Sequence, residues 1–93
     1  MGKASRKRPA RLAEKLIQIR EAMDLSQSGM IRHLGLTDVI SRDNVSAYEL
    51  GRREPSLLVL LEYARAAGVC LDTLVDDKAN LPKKLPARPR HKA

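Results

Sequence analysis

The chain has a single cysteine, Cys70, among its 93 residues. An internal disulfide is therefore excluded, and so is a zinc cluster built from thiolates. A reducing, cytoplasmic setting fits that usage. No apolar run approaches the roughly 20 residues that a bilayer span needs. The basic N-terminus lacks the apolar stretch that a signal peptide places after its cations. Strand-like alternation is missing, as is any internal repeat. No paired carboxylates, metal-ligand spacing or nucleophile constellation stands out, so neither catalysis nor a cofactor is expected. At this length the chain builds one domain with one modest core.

Positive charge is plentiful, and it sits at the ends. The formal net charge is +7. Residues 1–11 carry Lys3, Arg6, Lys7, Arg8 and Arg11, a charge of +5. Residues 78–93 carry Lys78, Lys83, Lys84, Arg88, Arg90 and Lys92, a charge of +6. The span 12–77 has seven Lys/Arg against eleven Asp/Glu, which leaves it at −4. A polycation invites a nucleic-acid reading, but here the charge belongs to the tails, and the case must come from the middle. Residues 1–9 have no large apolar side chain beyond Met1 and read as a disordered basic arm. The stretch 78–93, with Pro82, Pro86 and Pro89 among its cations, reads as an extended, solvated tail. The domain proper is expected over 10–77.

Within those bounds the periodicity is helical. Leu12, Leu16, Ile19 and Met23 form one apolar stripe, with Pro9 ahead of it as a helix-start residue. Asp24 stands where that helix ends, at a position suited to a residue that tolerates positive φ. Ser26 caps a second helix carrying Met30, Ile31 and Leu34, and Gly35 stops it. Ser41 caps a third helix with Val45 and Tyr48 inward, stopped by Gly51. Pro55-Ser56 opens a fourth, with Leu57, Leu60, Leu61 and Ala64 expected inward and Gly68 as the stop. Leu71, Leu74 and Val75 suit a short fifth. The expected fold is all-α, an orthogonal bundle of five helices.

The third helix has the form of a groove-reading element. A major groove admits one α-helix, whose first turns reach the base edges. Val45 and Tyr48 would anchor it, Arg42, Asp43, Ser46 and Ala47 would face outward, and Asn44 would sit near the edge. Arg42 suits a bidentate contact with guanine, Asp43 can accept from a cytosine amino group, and the Ala47 methyl can meet a thymine methyl. Taken singly, Arg42 and Asp43 are equally ordinary solvated residues. Arg52 and Arg53 would serve as well as helix C-terminal cations. Cys70 reads as a packed thiol and His33 as an exposed helix residue.

Several separated pieces then occur in one order: Leu25-Ser26-Gln27, Leu34-Gly35, Ile40 through Ser46, Glu49 through Ser56, and Leu57 through Leu74. Together they resemble the helix-turn-helix domain of the phage repressor and Cro class, the XRE family, over Leu12 to Val75. The resemblance implies a lambda-repressor-like bundle that binds double-stranded DNA as a transcriptional repressor or regulator, and because one short helix offers few contacts a homodimer on a two-fold site is expected. It implies that Gln27 touches a phosphate or an outer base and that Arg52 and Arg53 sit on the DNA backbone. Ser41, Arg42, Asp43, Asn44, Ser46 and Ala47 are its base-reading segment. An Arg20–Glu49 ion pair is implied as a structural tie, since both stand at inward-leaning positions. Apart from the resemblance, the division of charge makes Lys3, Arg6, Lys7 and Arg8 of the basic arm candidates to follow the DNA backbone or enter a narrow minor groove. The surface near Cys70 and Leu71 is the expected dimer face.

Two features depart from the family. Leu36-Thr37-Asp38-Val39 are extra residues ahead of the Ser41 cap, so a longer loop replaces the tight turn. Ile31 stands where the family has alanine, and the longer loop would let the second and third helices sit further apart. Two other functions fit the same fold. One is a DNA-binding antitoxin, whose C-terminal tail takes a protein partner with Leu81 and Leu85 as anchors. The other is a protein–protein adaptor, which the −4 body favours.

Overall fold

Each helix begins and ends on a local chemical signal. A computed structural model describes residues 8–85 and contains α1 (Leu12–Ala22), α2 (Gln27–Leu34), α3 (Arg42–Glu49), α4 (Leu57–Ala67) and α5 (Leu71–Val75). The Oγ atoms of Ser26 and Ser56 accept from the backbone N–H of Gly29 and Val59, satisfying donors that a helix start leaves open. Ser41 does the same for Asn44, whose side chain answers by accepting from the Ser41 N–H, a reciprocal capping box. Gly35 and Gly68 close α2 and α4 in the left-handed region, at φ of 73° and 70°. Asp24 is the one described non-glycine residue there, at φ 57°, where the chain leaves α1.

The α1 stripe is buried: Leu12, Leu16, Ile19 and Met23 all lie in the core. They meet Met30, Ile31 and Leu34 of α2, Val45 and Tyr48 of α3, and Leu74 of α5. α1 packs on α3, α4 and α5, while α2 packs on α3 and α4, an arrangement without strands among the described residues. Truncating a core residue such as Leu16 or Ile19 to alanine costs about 2–5 kcal/mol in sites of this kind.

The extra residues after α2 fold into a turn of their own. Leu36 is buried, and its carbonyl accepts from the N–H of Val39 and Ile40 at 2.9 and 3.1 Å. Val39 projects into solvent. Ile31 is 6% exposed and joins the core, and α2 and α3 remain in direct contact.

The structure corrects two expectations and extends a boundary. On α4 the buried face is Val59, Leu60, Tyr63, Ala64 and Ala67, and Leu61 is half-buried. Leu57, expected inward, is 74% exposed. It lies in the first turn, on the flank of that face, and no neighbouring helix covers it. Cys70, expected to be packed, is exposed. It occupies the N-cap of α5, outside the face that Leu74 turns to the core. The packed chain also continues past residue 77, because Leu81 and Leu85 lie against the core.

Candidate nucleic-acid interface

α3 has a buried side and an outward side. Val45, Tyr48 and Glu49 are buried, Arg42 and Asp43 are exposed, and Asn44, Ser46 and Ala47 lie between. Ser41 and Asn44 have a structural task besides: the Asn44 Oδ1 accepts from the Ser41 N–H at 2.9 Å and from its hydroxyl at 3.2 Å. These two side chains set the start of α3, and Arg42, Asp43, Ser46 and Ala47 carry its outward chemistry.

The far end of α3 is fixed by charge. The Arg20 guanidinium meets Glu49 with both Nε and Nη2, at 2.7 and 2.9 Å. Their side chains are 18% and 6% exposed. Such a fork-on-carboxylate pair is directional as well as strong. Hydrogen bonding to Glu49 holds the Arg20 guanidinium even more firmly protonated than usual, against the opposing effect of burial. Arg20 Nη1 also donates to the Leu25 carbonyl at 3.0 Å. Gln27, at the first residue of α2, donates from Nε2 to Glu49 Oε1 at 3.1 Å. The Gln27 amide is thus part of the tie that joins α1, α2 and α3.

Beyond α3 the chain turns through Gly51, at φ 74°, a conformation that glycine adopts without strain. The carbonyl of Ala47 accepts from the N–H of Arg52 at 2.9 Å and of Arg53 at 3.3 Å. That clip presses the arginine loop against the last turn of α3. Both arginines are exposed. Arg53 shares a cleft of about 250 Å³ with Arg8 and Tyr48, between the start of α1 and the α3–α4 loop. Burial pushes the Tyr48 phenol up, and Arg53 pulls it back. Arg8 is therefore the residue of the basic arm that adjoins the α3 end. Lys3, Arg6 and Lys7 lie outside the described residues.

Three features escape sequence reasoning. Lys15 is fully buried, and its Nζ donates to the carbonyls of Thr73 and Asp76 at 2.8 and 2.9 Å, tying α1 to the end of α5. Its position three residues after Leu12 and next to Leu16 is the signal that could have found it. Asp77 caps the start of α1 from the far end of the domain, accepting from Ala10 and Arg11. Nothing local in the sequence announces that contact. The Tyr63 phenol is buried, has no hydrogen-bond partner and is pushed well above its usual range by desolvation.

With an α2–turn–α3 pair whose second helix offers its polar side to solvent, the architecture is that of a helix-turn-helix protein. A family model described as helix-turn-helix matches residues 16–74, and the chain belongs to that family, in its XRE branch of DNA-binding transcriptional regulators. No curated protein and no solved structure matches the chain. Among the described residues, no helix is long and apolar enough to cross a membrane.

Proposed function

We propose that the protein is a cytoplasmic repressor that binds a two-fold symmetric DNA site as a homodimer, with α3 in the major groove. One observation carries this reading. The outward side of α3, with Arg42 and Asp43 exposed and Ser46 and Ala47 half-buried, is held between a capping box at one end and the Arg20–Glu49–Gln27 tie at the other. A reading helix needs that rigidity, because base-edge contacts depend on the placement of a few side chains. Arg52 and Arg53 follow on the same end, where cations on phosphates set register.

One short helix supplies few contacts, and a two-fold site doubles them, with half-sites about 34 Å apart. The exposed large apolar side chains favour Leu57 and Leu58, at 74% and 73%, over the surface near Cys70 as the dimer face. They follow directly on the loop that bears Arg52 and Arg53.

The antitoxin reading needs Leu81 and Leu85 as anchors for a partner, and both pack against this chain's own core. Filter-binding titration against genomic DNA fragments at two salt concentrations tests the proposal. Selective retention of a subset of fragments at the higher salt is the expected result. Equal retention of all fragments, or of none, would remove the sequence-specific regulator.

A further inference from the structure

The residues just before α1 and those just after α5 meet at one place. Asp77 holds them together: its Oδ2 accepts from the Ala10 N–H at 2.9 Å and its Oδ1 from the Arg11 N–H at 3.0 Å. In return, Arg11 Nη1 donates to the carbonyls of Asp77 and Ala79, at 3.0 and 3.3 Å, and to Asn80 Oδ1 at 2.9 Å. Further on, Leu81 and Leu85 pack against the core. Residues 77–85 therefore form a strap fastened at both ends. Lys78, Lys83 and Lys84 stand on it, all three exposed, and Lys78 lines a cleft with Arg8.

Arg8 connects this strap to the α3 side of the molecule. It shares one cleft with Arg53 and Glu54, and a second, shallower one with Lys78, Asp76 and Asp77. The Asp77 carboxylate is taken up by two backbone N–H groups, which temper its field. Arg53, Arg8 and Lys78 thus follow one another along a single edge that begins at the loop after α3. The span 12–77 is net negative, at −4, so this edge concentrates the cations that a polyanion would meet.

We propose that Lys78, Lys83 and Lys84 form a second DNA-backbone contact, continuous through Arg8 with Arg53, on the duplex that flanks the bases read by α3. The inference rests on the DNA-binding reading above. Lysine is a compact point charge that meets phosphate without reading sequence, as such a flanking contact requires. The apolar residues that would grip a protein partner, Leu81 and Leu85, are already packed against the core. The clasp at Asp77 makes the strap part of the DNA interface instead of a free tail.

The test uses the full chain, the Lys78→Ala/Lys83→Ala/Lys84→Ala variant, and a variant with arginine at the same three positions. Each is titrated with a mixed-sequence DNA duplex over a series of salt concentrations. The alanine variant is expected to flatten the slope of log K against log salt by roughly 1–3 units, at about 0.9 for each phosphate that is no longer neutralised. The arginine variant should keep the parent slope, and all three proteins should melt together. An unchanged slope in an alanine variant that still binds DNA overturns the strap contact and leaves the DNA reading standing. Lysine-dependent binding of polyglutamate, with the DNA slope unchanged, would give the strap to an acidic protein instead. Failure of the parent chain to bind the duplex at low salt would remove both readings.

Discussion

Glu49 receives Arg20 on both carboxylate oxygens, Nε to Oε2 and Nη2 to Oε1, while Gln27 adds a third donor to Oε1. A carboxylate so enclosed cannot be deleted without stranding its partners. Glu49→Ala leaves the Arg20 charge in a site that is 18% exposed, a change that costs roughly 3–5 kcal/mol for buried pairs. The expected outcome is a fall of many degrees in melting temperature. An unaltered melting temperature would show that the pair contributes nothing to stability.

A second prediction concerns acid. The N–H groups of Ala10 and then Arg11 hold the Asp77 carboxyl below its usual range. A folded-state pKa lowered in this way means that the charged carboxylate favours the folded state. Its stabilising contribution is fully present above the unfolded value, near 4, and is lost as pH falls through the folded value. Against Asp77→Ala, the parent protein should therefore be the more stable at neutral pH, with the gap closing only below about pH 4. A gap that is constant across that range would mean that the clasp does not depend on charge.

Readout by α3 can be separated from backbone contact by two substitutions. Arg42→Ala should cost roughly 1–3 kcal/mol on the cognate site and relax preference at one base pair. Arg53→Ala should weaken binding to all sequences alike. Equal weakening on specific and random duplexes for Arg42→Ala would place that residue on phosphate.

The N-terminal arm is testable by deletion. Removing residues 2–8 takes away Lys3, Arg6, Lys7 and Arg8, and the salt slope should flatten by roughly 2–4 units. Base preference should change little, because α3 is untouched. A slope equal to that of the parent chain would reduce the arm to a solubilising segment.

Dimerisation is the fifth prediction. Leu57 and Leu58 are exposed at 74% and 73%, so Leu57→Lys/Leu58→Lys should leave the monomer folded. Sedimentation is expected to show a shift toward monomer, and cooperative DNA binding should weaken. Retention of a full dimer by this variant would favour the surface near Cys70 as the dimer face.

Much of this architecture is legible in the sequence because its signals are local. The stripe Leu12, Leu16, Ile19 and Met23, the serine caps at 26, 41 and 56, and the glycine stops at 35 and 68 lie within a few residues of what they control. The division of α3 into an anchored and an exposed side follows from the same period. Side-chain periodicity and caps act over one or two helical turns, so they can be read without the fold.

Tertiary structure decided everything that depends on who faces whom. Leu57 satisfies the period of α4 but lies beyond the reach of any neighbouring helix, so it is exposed while Tyr63 is buried. Lys15 looks like a solvated charge until α5 brings two open carbonyls to its ammonium. Asp77 reaches Ala10 and Arg11 across 67 and 66 residues of chain, a contact that no local pattern encodes. The residues from 78 to 85 read as tail because their composition is that of a tail. What packs them is the surface they meet, and that surface exists only once the five helices have assembled.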